Sequence, residues 1–127
     1  MKSPTLPGHP HFAYRDNALF AEDVRVSELA RTHGTPLFIY SKAAMLSALA
    51  AYQRGFAGRH AQICYAMKAN SSLAVLQVFA RAGCGFDIVS GGELERVQAA
   101  GGDVNKVIFS GVGKTRAEMR QALAAGI

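Results

Sequence analysis

Ile63-Cys64-Tyr65-Ala66-Met67-Lys68-Ala69-Asn70 is the stretch on which the fold turns. It opens as a short, continuous apolar run, ends on one lysine, and passes through Asn70-Ser71-Ser72 into a helical pattern. Strands that read as continuous apolar runs, rather than alternating ones, are those of a sheet covered by helices. Lysine is seldom fully buried, because stripping its charge of water costs several kcal/mol or forces its pKa down. The run therefore predicts a strand that delivers one ammonium group to its C-terminal edge.

Outward from this strand the same alternation repeats. Residues 35–40, Thr-Pro-Leu-Phe-Ile-Tyr, predict a strand that tolerates its proline because the proline stands at the start. Ser41 then caps a helix to about Arg54. Residues 61–67 predict the lysine strand, and Ser71 or Ser72 caps a helix through Arg81 that Ala82-Gly83 ends. Residues 84–89 form the next strand, and Ser90-Gly91-Gly92 leads into a helix over 93–100. Residues 106–110 give another strand, after which Thr115 caps a last helix to Ala125. Four β-α units with short connections predict a parallel sheet, in a barrel or a doubly wound fold. No Gly-x-Gly-x-x-Gly follows the first strand, which removes the usual sign of a dinucleotide fold.

Ahead of these units, residues 12–22 predict a β-hairpin turning at Asp16-Asn17, and Ser27 caps a short helix through His33 that Gly34 terminates. The expected organisation is an N-terminal hairpin and short helix over 1–34, then the first part of a β/α barrel over 35–127. Four strands of a closed eight-stranded barrel would leave unpaired edges and an uncovered interior face, so a larger barrel enzyme is expected. A finished small domain is the alternative.

Composition narrows the function classes. Of 127 residues 50% are hydrophobic and 18% charged, an ordinary globular mixture. The net charge of +5 is spread along the chain without a basic stripe interleaved with aromatics, which gives nucleic-acid binding little support. Such a balance would help draw in a phosphorylated cofactor and acidic substrates. Cys64 and Cys84 lie in apolar segments and read as reduced thiols of a cytoplasmic protein. No apolar run has the length of a membrane span or a leader's hydrophobic core. His9 and His11 lack further ligand neighbours, so no metal site is expected.

The chemistry rests on three residues. Lys68, ending an apolar strand before a polar turn, suits a group that bonds to an aldehyde, the way pyridoxal phosphate is anchored in its enzymes. The plainer reading is a lysine whose stem packs while its head reaches water. Asp87 falls one unit later near a C-terminal strand edge, where it can face the same open side or simply cap the turn through Ser90 to Gly92. Glu93 opens the following helix, where its charge suits the helix dipole whether or not it also faces the site. Gly91-Gly92 permits close backbone approach. Ser110-Gly111-Val112-Gly113-Lys114-Thr115 lacks the spacing of a nucleotide phosphate loop.

Taken together, several stretches resemble the diaminopimelate decarboxylases. They are Phe12-Ala13-Tyr14-Arg15-Asp16-Asn17, Gly34-Thr35-Pro36-Leu37-Phe38-Ile39-Tyr40, Tyr65-Ala66-Met67-Lys68-Ala69-Asn70, Gly85-Phe86-Asp87-Ile88-Val89-Ser90-Gly91-Gly92-Glu93-Leu94 and Phe109-Ser110-Gly111-Val112-Gly113-Lys114-Thr115. The resemblance implies an α/β fold, the N-terminal part of an alanine-racemase-like (β/α)8 TIM barrel that binds pyridoxal 5′-phosphate. It implies Lys68 as the catalytic Schiff-base lysine, with Asp87 and Glu93 as acidic cofactor-side residues. It further implies a homodimer that converts meso-diaminopimelate to L-lysine and carbon dioxide. Met67 stands where relatives commonly carry valine. The family's ring-stacking histidine, phosphate-binding glycine loop and substrate-binding residues come from later in its sequence, so the chain alone is expected to be inactive. Decarboxylases of ornithine, arginine or carboxynorspermidine share the lysine strand and are the nearest alternative. A non-catalytic pyridoxal-phosphate carrier of the same barrel is the other.

Overall fold

The computed structural model describes residues 5–127, and the chain divides into two compact units, one up to Ala48 and one from Leu49 to Ile127. In the first unit, strands β1 (Phe12–Arg15), β2 (Ala18–Ala21) and β3 (Val24–Arg25) form an antiparallel sheet in that order. Arg15 pairs with Ala18 across a two-residue turn whose Asp16 and Asn17 both have positive φ, 47° and 60°. Short polar residues tolerate that left-handed pair, and its twist matches the flanking strands. The expected hairpin is therefore present, extended by a third strand. The guanidinium groups of Arg15 and Arg25 lie over the Phe20 ring at 5.1 and 5.4 Å.

Helix α1 (Val26–His33) follows directly. Its N-cap is Arg25 without a side-chain cap, which corrects the expectation of Ser27: the chain enters the helix straight from β3, leaving Ser27 inside the first turn. Gly34, with φ of 80°, ends the helix as expected. Residues 35–40 do not form the expected strand. Among the described residues no strand pairs with them, and Phe38 is 87% exposed. A run of β-formers becomes a strand only where a ladder partner takes its backbone groups.

Helix α2 (Lys42–Gly55) begins as predicted. Ser41 Oγ accepts from the Ala44 N–H at 2.9 Å and donates to Glu22 Oε1 at 2.7 Å, while the same Glu22 oxygen accepts from the Ala43 N–H at 2.9 Å. These bonds hold the Glu22 carboxyl below its ordinary pKa, the Ser41 hydroxyl contributing most.

The second unit holds the parallel sheet β4 (Cys64–Ala66), β5 (Gly85–Ile88) and β6 (Val107–Phe109) in sequence order, with helices α3 (Leu73–Arg81), α4 (Gly91–Ala99) and α5 (Arg116–Ala125). The strands are shorter than their apolar runs, since the chain leaves the ladder early at both ends. Tyr65, Phe86 and Val107 are register partners, as are Ala66, Asp87 and Ile108. Register partners in a parallel pair share a face, so the two triplets point to opposite sides of the sheet. The first triplet meets the helices: the Tyr65 ring stacks on Phe79 of α3 at 4.2 Å and meets Phe86 edge-on at 6.5 Å. Met67, Leu76, Phe86, Ile88, Leu94 and Val97 are fully buried here, each stabilising the unit by about 1.5–3 kcal/mol relative to exposure. The second triplet faces the other way, and Ile108 is 51% exposed. No helix among the described residues is long and apolar enough to cross a membrane.

Candidate active site

The open edge of the sheet is where the chemically able side chains collect. Lys68 does not end β4; it sits in a one-turn 3-10 helix, Met67–Ala69, immediately after it. Met67, at 0% exposure, plugs that turn into the core. Tyr65 Oη donates to the Asn70 carbonyl at 3.0 Å, and Asn70 Oδ1 accepts from the Ser72 N–H at 2.9 Å. The turn is thus held from the core side and from its C-terminal flank, while Lys68 itself is exposed. Its ammonium makes no hydrogen bond or ion pair among the described residues. Lysine in this chain thereby reaches water at the strand edge by leaving the strand, which avoids the cost of burying it.

Asp87 lies on the uncovered sheet face, in register with Ala66, two residues before Lys68. Its Oδ1 accepts from Ser110 Oγ at 2.6 Å. Its hydrogen-bond partner is thus the hydroxyl that follows β6. Glu93 bonds locally: its Oε2 accepts from the Val89 N–H at 2.7 Å, and its own N–H donates to Ser90 Oγ at 3.2 Å. Lys114 donates to the carbonyls of Ser110 and Gly111 and rests over the Phe109 ring at 5.2 Å.

Two of the helix starts along this edge, those of α4 and α5, are capped by side chains, whereas α3 starts after Ser72 without a side-chain cap. At α4 the N–H groups of Val89, Gly91 and Glu93 go to Glu93, Glu118 and Ser90. At α5 Thr115 and Glu118 form a reciprocal capping box. Gly91-Gly92 therefore does not serve as a bare cradle for a phosphate: a Cβ at Gly91 would collide with the Gln121 side chain, so that space is filled by α5. The Gly91 position is tight because two helices meet there.

Sequence patterns bring Lys68 and Asp87 to one edge and leave out Ser110, Tyr65 and Glu118. Their signals are nonetheless present: a hydroxyl just past the neighbouring strand, a phenol in a buried strand that needs a polar partner, and a Thr-x-x-Glu box. Among the described residues no three His, Cys, Asp or Glu side chains gather as metal ligands would. Cys64 and Cys84 are unpaired thiols, the first half-buried, the second buried with its pKa pushed up by that burial.

This geometry has known counterparts. Residues 42–127 match the family described as pyridoxal-dependent decarboxylase, pyridoxal binding domain. The chain belongs to the pyridoxal-dependent decarboxylases. It is 57% identical over 116 residues to the diaminopimelate decarboxylase of Pseudomonas aeruginosa, which covers 91% of this chain and 28% of that protein. The Vibrio cholerae diaminopimelate decarboxylase is 54% identical over 114 residues, covering 89% of this chain and 27% of its own. The crystal structure of diaminopimelate decarboxylase from M. jannaschii in co-complex with L-lysine matches with a TM-score of 0.90 at 31% identity, over 96% of this chain and 30% of that one. The chain thus spans less than a third of the length of these relatives. Its architecture is the N-terminal, alanine-racemase-like barrel part of the pyridoxal-dependent decarboxylases, preceded by a small antiparallel sheet.

The family's cofactor is pyridoxal phosphate, and the residues present fit its aldehyde end. That end needs an accessible primary amine on a fixed backbone, and Lys68 is exposed, unpaired and carried on a turn locked by Met67 and Tyr65. The capped starts of α4 and α5 do not fit its phosphate end, while the start of α3, next to the Lys68 turn, carries no side-chain cap.

Proposed function

We propose that the full-length protein is a diaminopimelate decarboxylase, converting meso-diaminopimelate to L-lysine and carbon dioxide. The observation that carries this reading is the exposed, unpartnered Lys68 at the sheet edge, on the turn that Met67 and Tyr65 hold, two residues after Ala66, the register partner of Asp87. The likeness to diaminopimelate decarboxylases across nine-tenths of the chain supports the choice of substrate.

In this reading residues 35–127 supply the opening part of the barrel, and 1–34 the hairpin sheet and short helix. Lys68 Nζ would hold the cofactor by its aldehyde carbon, with Asp87 and Glu93 as the acidic residues on the cofactor's side. Bound pyridoxal phosphate supplies an electron sink for the pair released when the bond to the departing carboxylate breaks. With its Nζ free, Lys68 would hold or return a proton at the reacting carbon's side. Asp87, held by Ser110 through Oδ1, would set an acceptor on the cofactor's side. Ile108, exposed at the open face, is apolar surface that would help exclude water once covered. The two unpaired cysteines support a cytoplasmic location, and the family resemblance supports a homodimer.

The test is carbon dioxide release by the full-length protein from a panel of meso-diaminopimelate, ornithine, arginine and carboxynorspermidine. Turnover of diaminopimelate that Lys68→Ala abolishes is expected. Preferential turnover of another amine ends this reading, and cofactor binding without any decarboxylation makes the protein a carrier instead.

A further inference from the structure

We infer that Ser110 is a positioning residue for the cofactor, acting through Asp87. Its hydroxyl fixes one carboxylate oxygen so that the other is presented to the group held on Lys68. This rests on the reading of Lys68 and Asp87 as cofactor-side residues.

The geometry is specific. Asp87 lies half-buried on the uncovered sheet face, in register with Ala66 and Ile108. The Ser110 Oγ to Asp87 Oδ1 distance of 2.6 Å is that of a short, charge-assisted bond, so it can fix the carboxylate's rotamer. Ser110 is itself immobilised. Its N–H donates to the Ile88 carbonyl at 2.9 Å, continuing the β5–β6 ladder by one residue. Its carbonyl accepts from Lys114 Nζ at 2.9 Å. The Lys114 ammonium also bonds to the Gly111 carbonyl and lies over Phe109, so its charge is engaged by the loop and does not draw the Asp87 carboxylate away. A hydroxyl has one proton to give, and here it goes to Asp87. Asp87 Oδ2 takes no hydrogen bond among the described residues and is left as a free acceptor. Strand β6 thus sets the direction of a carboxylate on β5, on the face shared with the strand that delivers Lys68.

The full-length protein is stripped of cofactor and titrated with pyridoxal phosphate, reading the absorbance of the bound cofactor, for wild type, Ser110→Ala, Ser110→Thr, Asp87→Asn and the Asp87→Asn/Ser110→Ala double variant. Ser110→Ala should weaken binding by roughly three- to tenfold. Ser110→Thr, which keeps the hydroxyl, should stay within about twofold of wild type. Ser110→Ala should add less once Asp87 is asparagine, whose Oδ1 still accepts the hydroxyl but whose amide nitrogen is no longer an acceptor. Three results would overturn the inference: wild-type binding by Ser110→Ala, equal weakening by Ser110→Thr, or the same factor lost in both backgrounds. If Ser110→Ala does not fold, Ser110→Cys replaces it, a near-isostere and weak donor that should fall between the alanine and threonine variants; wild-type binding there also counts against the role. Carbon dioxide release from the amino-acid panel is read separately. A different preferred substrate would end the functional reading and leave this one intact.

Discussion

Glu118 of α5 accepts a hydrogen bond at 3.0 Å from the N–H of Gly91, the first residue of α4. The same carboxylate closes the capping box at the start of its own helix, through the Thr115 N–H and hydroxyl. One side chain thus ties two helix starts together along the edge where Lys68 and Asp87 lie. It also adds to the crowding at position 91, where a Cβ would collide with the Gln121 side chain and lie 3.2 Å from Glu118 Cγ.

These bonds hold the Glu118 carboxyl at about 2, down from 4.5, the Thr115 N–H contributing most and the Gly91 N–H next. A folded-state pKa below the unfolded one gives stability that is complete above about 4.5 and lost as pH falls toward about 2. Glu118→Gln should therefore be less stable than wild type near neutrality, with the difference shrinking across that acid window. Urea unfolding of the two proteins between neutral and acid pH measures it. A difference independent of pH would mean that the carboxylate's charge is not what the two helix starts use.

Gly85 and Gly92 should respond to alanine with opposite signs. A Cβ at Gly85 would collide with the Lys106 carbonyl and lie 2.8 Å from Cys64 Sγ and 2.9 Å from Gln62 Nε2. Gly85→Ala should cost about 1–3 kcal/mol, the usual penalty of forcing atoms into a filled space. Gly92, exposed in the first turn of α4, has nothing within 4 Å of a Cβ. Gly92→Ala should stabilise by about 0.5–1 kcal/mol through the entropy its unfolded chain no longer loses. Chemical denaturation of both variants tests the pair.

Tyr65→Phe separates the ring from the hydroxyl. The ring's stacking on Phe79 survives, while the bond to the Asn70 carbonyl, which flanks the Lys68 turn, is lost. Stability should fall by about 0.5–1.5 kcal/mol. Amide hydrogen exchange over residues 67–70 should quicken beyond what that global loss accounts for. Exchange that speeds up only in step with global unfolding would show that the hydroxyl does not hold this turn in particular.

Elements are legible in the sequence where local and tertiary signals agree. Thr115 and Ser41 ahead of their helices, and Asp16-Asn17 at the hairpin turn, are chemistry readable within four residues, and all three stand where predicted. Residues 35–40 mislead because a strand is defined by its neighbour, and local β-propensity cannot supply one. Lys68 falls at the expected edge but on a different element, since apolar composition runs through Met67 while the ladder stops at Ala66. The Ser110–Asp87 and Glu118–Gly91 bonds join residues 23 and 27 apart, and such separations are set by parallel register and helix packing, which no local pattern displays.

Residues 1–127 on their own should bind pyridoxal phosphate weakly and decarboxylate nothing. Lys68 is accessible, so its amine can bond to the aldehyde without further help. Decarboxylation asks for more: a fixed orientation of the breaking bond and a site shielded from water. In the described residues the face that carries Asp87 is open, with Ile108 51% exposed, and the start of α4 beside it has given N–H groups to Glu118 and Ser90. Without a hold on the phosphate the cofactor can pivot about its one bond to Lys68, and the orientation that speeds bond breaking is lost. The isolated chain, mixed with pyridoxal phosphate, should show an absorbance change that Lys68→Ala reduces and no carbon dioxide from diaminopimelate above the free cofactor's own rate. Turnover that clearly exceeds that rate and vanishes with Lys68→Ala would show that this edge alone is a sufficient active site.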